Sequence, residues 1–387
     1  MINYIHPLDV STHALESYQF VDLYTGRIGE IPSDAPMPAV REKPSTVQVR
    51  NGSELVNAVK RSAVMVELTQ PEYLISEPLV FGHDVDLVGA QTALVRIVAD
   101  DGFKGNEMVS ITQQGAGLNN VDLVGRHLMV NGVQLEDAGD VLIKRCRLQA
   151  FQRNCLRMLG NTNHVAVLFC DMMDTKSNHG IGMRETVSAV LIASSAFHHC
   201  GTQGDNDGFG LDLHGLGVWS LGNVVHDNHR GVKLPDAQHL VWDGGYVDDG
   251  VSHKYPPIAI WKSNESYGRR PNDITITNVA LDSLDYHIGV WNADIVRYGN
   301  IVPMRNGKTV NEKGEPIQLS IKGSAIRLPS APDEPLVEPP APPPVVPDPD
   351  APDLDALAGE VLRRLDVNEL AHLVGQRLVS SLSELFR

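Results

Sequence analysis

Gly210-Leu211-Asp212-Leu213 and, one step later, Gly231-Val232-Lys233-Leu234 decide the fold, because the same phrase recurs along the chain. It consists of a small or polar residue, an apolar one, any residue, and a second apolar one. Earlier copies are Gly132-Val133-Gln134-Leu135, Cys155-Leu156-Arg157-Met158 and Gly180-Ile181-Gly182-Met183; later ones are Pro257-Ile258-Ala259-Ile260 and His287-Ile288-Gly289-Val290. Anchored on Leu135, Met158, Met183, Leu213, Leu234, Ile260 and Val290, the steps are 23, 25, 30, 21, 26 and 30 residues. A short, fixed period of this kind marks a solenoid.

A second track runs in phase with the first, through Leu148, Met173, Phe197, Val225, Val247 and Leu281, and ends runs such as Val141 to Leu148 and Ile274 to Leu281. Each step therefore carries at least two short strands whose period-two alternation sends one set of side chains inward and the next outward. The step is too short for a crossover helix, so stacked copies must be joined by turns, here rich in Asn, Asp, Gly and His. A propeller blade needs roughly 40 residues and four strands, and a β-sandwich gives no such register. The pattern resembles an all-β solenoid, the right-handed parallel β-helix, with loops of variable length at its corners.

Composition agrees. Of 387 residues 42% are hydrophobic but only 5% aromatic, as expected of stacked aliphatic ladders. A formal charge of −16 argues against general binding to nucleic acid or to an anionic membrane. No stretch of about 18 apolar residues predicts membrane insertion, and the N-terminus lacks the basic and apolar regions of a cleaved signal. The four cysteines, Cys146, Cys155, Cys170 and Cys200, lack CxxC spacing and read as small buried hydrophobes, with Cys146 and Cys170 adjacent in neighbouring coils.

Residues 1–45 hold Pro7, Pro32, Pro36, Pro38 and Pro44 with little periodicity and read as an extended arm suited to packing on a neighbour. Residues 46–328 form the β-helix, opened by a strand and a short helix, capped by Asn51 or Ser53, that plugs the core. Residues 297–328 suggest a closing β-hairpin. Eleven prolines between 329 and 352 predict a semi-rigid polyproline II linker. Residues 353–387 then predict amphipathic helices with Leu354, Leu357, Val361 and Leu365 on one stripe and Leu370, Leu373, Val374, Leu378, Leu382 and Leu385 on another. Helices so short cannot bury those stripes alone, which points to self-association or docking on another protein.

In a parallel stack, equivalent outward positions form rows. One row is Gln134, Arg157, Gly182, Asp212, Lys233, Ala259 and Gly289, flanked by Arg184, Glu185, His214 and Asp236. A second is Asp174, His198, His226, Asp248 and Asp282, with His199, Asp227 and Asp249 one residue on. The loop from Gly201 to Phe209 adds Asp205 and Asp207, and the next adds His229 and Arg230. Stacked carboxylates suit Ca²⁺ or acid–base work, and Lys or Arg suits a uronate; corner Asn, Asp and His residues also satisfy backbone groups with no further role. Trp219, Trp242, Trp261 and Trp291 are candidate sugar platforms, with Trp261 and Trp291 at equivalent places suited to mutual packing. No metal motif, nucleophile elbow or phosphate loop is present, and Gly208-Phe209-Gly210 leads into a strand, unlike a dinucleotide fingerprint.

From about residue 64 to 328 the chain resembles the pectate-lyase-like superfamily, which holds polysaccharide lyases, epimerases, polygalacturonases and phage tailspikes. Asp248-Asp249-Gly250 only echoes the paired Asp of polygalacturonases, and Arg269-Arg270-Pro271 does not reproduce the Arg-x-Pro-x-x-Arg of lyases. The arm, linker and terminal helices resemble a tail or tailspike protein, which implies a homotrimer assembled in host cytoplasm with other tail proteins and contacting surface polysaccharide. As an enzyme, the resemblance implies a lyase, epimerase or glycosidase acting on an acidic sugar. Lys233 or Arg230 would then be base, with Asp212, His226 and Asp227 in proton transfer. Arg157, Arg184, His198, His199, His214, Asp248 and Asp249 would bind substrate. Asp205 and Asp207 are candidate Ca²⁺ ligands, and no other cofactor is implied.

Overall fold

A computed structural model describes residues 2–329 apart from 11–17, 40, 91–92, 202–207, 263–268 and 312. The chain divides into Met1–Ser330 and Ala331–Arg387. The expected linker beyond Pro329, the helical stripes of 353–387 and the candidate ligands Asp205 and Asp207 lie outside the described residues.

One coil shows how the sequence folds. Gly139–Lys144, Arg147–Phe151 and Asn154–Leu159 are three strands separated by corners, and Asn163–Leu168 then pairs in parallel with Gly139–Lys144. Repetition builds three parallel sheets of 12, 10 and 10 strands along one axis. They are named here by what they carry: the arm sheet, from Ser45–Val49 to Ile326–Arg327; the histidine sheet, from Glu72–Ile75 to Val302–Met304; and the cleft sheet, from Leu79–Phe81 to Ile321–Lys322. The sequence reading found two tracks where there are three, because it ran together Gly139–Lys144 and Arg147–Phe151 across Arg145. Arg145 sits at φ +52°, and Asn120, Phe169, Ser194 and Asn278 take the same left-handed bend between corresponding strands. A single residue turns the chain there, too short a break to interrupt hydrophobic periodicity.

Inward positions stack like on like. Val141, Val165, Val190, Val218, Leu240, Ile274 and Val296 form one unbroken in-register ladder. Leu148, Met172, Phe197, Val225, Val247 and Leu281 form another. Each such side chain removed from water contributes about 1.5–3 kcal/mol. The second ladder corrects the expected track, which had Met173 inward; the two adjacent methionines leave alternation undecided, and a slip of one residue exchanges the faces. Cys146 and Cys170 are buried free thiols in adjacent coils, as expected.

The helix Gly52–Ala58 closes the N-terminal end. Asn51 Oδ1 accepts from the Glu54 backbone N–H at 2.9 Å, and Glu54 reaches back to the Arg50 N–H at 2.9 Å. Leu55, Val56 and Ala58 enter the solenoid core. At the other end, the parallel stack continues through Val296–Gly299, Val302–Met304, Ile321–Lys322 and Ile326–Arg327, and the expected hairpin extends from it in short form, with the Ile317 N–H donating to the Thr309 carbonyl and the Asn311 N–H to the Glu315 carbonyl, both at 2.8 Å. Antiparallel pairing is confined to Arg305 with Lys308 and Val310 with Pro316.

The N-terminal arm packs on its own solenoid. Its strands Gln19–Val21 and Ile28–Glu30 pair with each other. Phe20, Val21 and Leu23 cover Ala166, Leu168, Leu191 and Leu221 on the outer face of the arm sheet. The Val21 N–H donates to Ser194 Oγ at 2.8 Å, the Leu23 N–H to the Gly222 carbonyl at 3.0 Å, and Arg145 to the Val10 carbonyl at 2.9 Å. A sheet face lined with Leu and Ala has to be covered, and the arm does so in cis.

Candidate functional site

The first outward row is present as read. Gln134, Arg157, Gly182, Asp212, Lys233, Ala259 and Gly289 are neighbours in unbroken register on the cleft sheet. Gly182 interrupts the ridge of side chains; a Cβ there would lie 2.9 Å from Asn154 Oδ1. The gap opens into a cleft of about 370 Å³ whose lining includes Arg153, Arg157, Arg184, Lys233, His179, His214, Asp212 and Trp261.

Asp212 is the hub. Its carboxylate lies 3.1 Å from Lys233 Nζ, 3.2 Å from His179 Nε2 and 3.2 Å from His214 Nε2. The Phe209 N–H donates to His179 Nδ1 at 3.2 Å, so Nε2 is the protonated nitrogen facing Asp212. Burial alone would raise the Asp212 pKa, but Lys233 and His179 outweigh it and hold the carboxyl well below its usual range. Burial disfavours the His214 cation, yet Asp212 beside it, with Asp236 at 3.6 Å, raises that pKa. Arg157 is lowered, first by burial and then by the neighbouring charges of Arg153 and Arg184. Among the described residues, three guanidiniums and an ammonium thus share the cleft with one carboxylate, in a chain of net charge −16. Such a concentration of like charge suits a bound anion.

Of the residues expected here, Asp212, Lys233, Arg157, Arg184 and His214 come together. Arg230 does not line the cleft; it is buried with its guanidinium 5.2 Å from the Phe209 ring centroid and 4.6 Å from that of Tyr255. His179 and Arg153 were missed by the sequence reading. The signal was available for His179, which lies three residues before Gly182 as Asn154 does before Arg157 and Phe209 before Asp212.

His198, His199, His226, Asp227, Asp248 and Asp249 lie on or beside the histidine sheet, on another face. His198 is in register with His226 and stacks on it at 5.1 Å between centroids and 10° between planes. The partner of His198 in the preceding coil is Met173, so Asp174 falls outside the row where it was expected. A buried carboxylate of this face that the sequence reading passed over is Asp171. It contacts His198 Nε2 at 2.9 Å, Arg147 Nε at 2.9 Å and, from the arm, His6 Nε2 at 3.2 Å. Burial opposes its ionisation, but His198 and His6 overcome this and lower its pKa. Tyr4 of the arm covers His226 at 5.1 Å, and burial lowers the His226 pKa. Asp248 and Asp249 line a hollow of about 760 Å³ with Asp227, His226 and arm residues Asn3 and Tyr24. Burial pushes the Asp248 pKa up to about 7, although the N–H groups of Asp227 and Gly250 donate to it. Among the described residues, no cluster of three His, Cys, Asp or Glu side chains is arranged to hold a metal ion.

No protein-family model matches this sequence, and no curated protein shows significant similarity to it. Solved structures do match in shape. An alginate lyase from Paenibacillus sp. str. FPU-7 superposes with a TM-score of 0.51 at 10% identity, over 73% of this chain and 99% of that one. Tailspike protein 2 from Escherichia coli O157:H7 bacteriophage CAB120 superposes with a TM-score of 0.50 at 13% identity, over 71% of this chain and 38% of the tailspike. The fold is a right-handed parallel β-helix. A polygalacturonase from Erwinia carotovora is matched as well, at 11% identity and a TM-score of 0.45 over 74% of this chain and 98% of that one. Among the described residues of this β-helix no helix is long and apolar enough to cross a membrane.

Proposed function

We propose that this β-helix binds an acidic polysaccharide through the cleft between Arg157 and Lys233. The observation that carries the reading is the gathering of Arg153, Arg157, Arg184 and Lys233, with Asp212 the one carboxylate among the described residues of the lining, on the surface of an acidic protein. Lys233, already the counter-ion of Asp212, and Arg157 are placed to neutralise uronate carboxylates, while Trp261 offers an apolar wall. The β-helices it resembles in shape include an alginate lyase and a phage tailspike, which supports a glycan as the ligand. The fuller form of the proposal is a tailspike-like role, with the cleft contacting host surface glycan and the Leu-rich segment after Asp353 assembling a homotrimer or docking on another tail protein.

Isothermal titration with alginate, polygalacturonate and neutral dextran tests the binding step. Arg157→Ala/Arg184→Ala should weaken acidic glycans at least about tenfold, as expected for loss of buried charge-assisted contacts. Equal binding of dextran, or no change in the variant, would overturn it. Deleting residues 353–387 should lower the mass measured by light scattering if that segment assembles the chain, and an unchanged mass counts against the tail-like form.

A second reading, cleavage of the bound glycan, is favoured by one feature. Asp212, His179 and Lys233 form a connected proton-transfer group within 3.2 Å inside the anion cleft. If it operates, Lys233→Ala and Asp212→Asn abolish release of unsaturated or reducing ends; unchanged turnover removes this row from the chemistry.

A further inference from the structure

The outward row of the cleft sheet does not stop at Gly289. Lys233 pairs with Ala259, Ala259 with Gly289, and Gly289 with Lys322, so the row resumes with a cation after two residues that leave its floor low. Two positions further along the same strands, Pro235, Trp261 and Trp291 form a parallel row in register. The glycine is required, because a Cβ on Gly289 would sit 2.3 Å from the Trp291 ring, which leans across it. Lys322 Nζ lies 5.2 Å from the Tyr286 ring centroid and 5.9 Å from that of Trp291. Around these three is a hollow of about 260 Å³, lined also by Tyr255. Tyr255 stacks on Trp261 at 5.9 Å and 22°, and Trp261 lines the basic cleft. Tyr255, lining the hollow, thus joins it to the aromatic wall of the cleft.

Packing accounts for only part of this. Trp261, Trp291 and Tyr286 remain half-buried and Lys322 exposed, an arrangement of flat apolar faces beside a cation that matches a sugar ring bearing a carboxylate. Resting on the reading of the cleft as an acidic-glycan site, we propose that Tyr286, Trp291 and Lys322 form a second subsite for the same chain. The rings would take the C–H face of one sugar, and Lys322 its carboxylate. Lys322 is three coils from Lys233, or ~14 Å at the usual strand spacing. One pyranose advances a glycan by about one such spacing, so roughly three sugars bridge the two lysines, and a chain long enough to reach both gains from binding the second site intramolecularly.

Titration with a disaccharide and a hexasaccharide of galacturonate and of mannuronate separates the two ideas. The hexasaccharide should bind more tightly than the disaccharide. Trp291→Ala and, at an exposed position where folding is not at risk, Lys322→Gln should each weaken the hexasaccharide about tenfold while leaving the disaccharide unchanged. Arg157→Ala should weaken both. If hexasaccharide affinity survives both platform variants while Arg157→Ala lowers it, the second subsite is wrong and the cleft stands. If neither acidic series binds, both proposals fall.

Discussion

Replacing Asp212 by Asn tests the electrostatic account of the cleft with the least change of shape. The side chains of Asp212 and Lys233 are 11% and 10% exposed and 3.1 Å apart. The amide can still accept from His179, but it removes the negative charge 3.1 Å from the ammonium. Removing one member of a buried pair costs about 3–5 kcal/mol, and the open side of the cleft argues for the lower end. At roughly 2–4 °C per kcal/mol for a large domain, the melting temperature should fall by about 6–12 °C. Its pH dependence is equally specific. Asp212 has a lowered folded pKa, so its contribution is complete above the unfolded value, near 4, and is lost as pH falls through the folded value. His214 has a raised pKa, so its contribution is complete below about 6.5 and is lost as pH rises through the folded value. The gap between wild type and Asp212→Asn should therefore be widest between about pH 4 and 6.5. Adding Lys233→Met should recover much of the loss, since the cation that Asp212 stabilised is then gone. Differential scanning calorimetry across pH would read all three. A shift below about 1 °C, or a gap that grows only above pH 8, would refute the reasoning.

Three further outcomes are expected. Gly245→Ala should destabilise the chain by more than about 3 kcal/mol in urea, because Gly245 has φ +86° and a Cβ there would meet the Asn223 carbonyl oxygen at 1.8 Å; wild-type stability would contradict the close approach of these coils. Ellman's reagent should find no reactive thiol in the native protein and four in denaturant, since all four cysteines are buried and burial pushes the Cys155 and Cys170 thiols up. Asp248, raised to about 7 by burial, contributes stability below its unfolded pKa that is lost as pH rises through about 7. Asp248→Asn should accordingly flatten the fall in urea stability between about pH 4 and 7, and an unchanged slope would assign that fall elsewhere.

The candidate site was half legible. Lys233, Asp212, Arg157 and Arg184 could be placed together from spacing alone, since each sits at or beside the same point of the repeated phrase and parallel in-register pairing turns equal phase into spatial adjacency. His226 and Asp227 were grouped with them as chemistry, yet they belong to a different sheet. Asp227, at φ +51°, lies in the three-residue corner between Val224–His226 and Arg230–Pro235, so closeness in sequence to Lys233 leaves it round a corner from the cleft. Asp171 was invisible because its partners include His6, 165 residues away.

What the sequence by itself determined is the solenoid: its period, the inward ladders of Val, Leu and Ile, the Asn51 cap and the row from Gln134 to Gly289 all follow from local alternation repeated at a fixed step. Only the tertiary structure decided the third sheet, the inward choice of Met172 over Met173, the folding of residues 18–39 against their own arm sheet, and the tautomer that aims His179 Nε2 at Asp212. The physical reason is common to these. Where a sheet is covered on both faces, as the arm covers Ala166, Leu168 and Leu191, both faces become apolar and alternation vanishes. The cover itself is held by contacts such as Val21 with Ser194 and Arg145 with Val10, for which no sequence period exists.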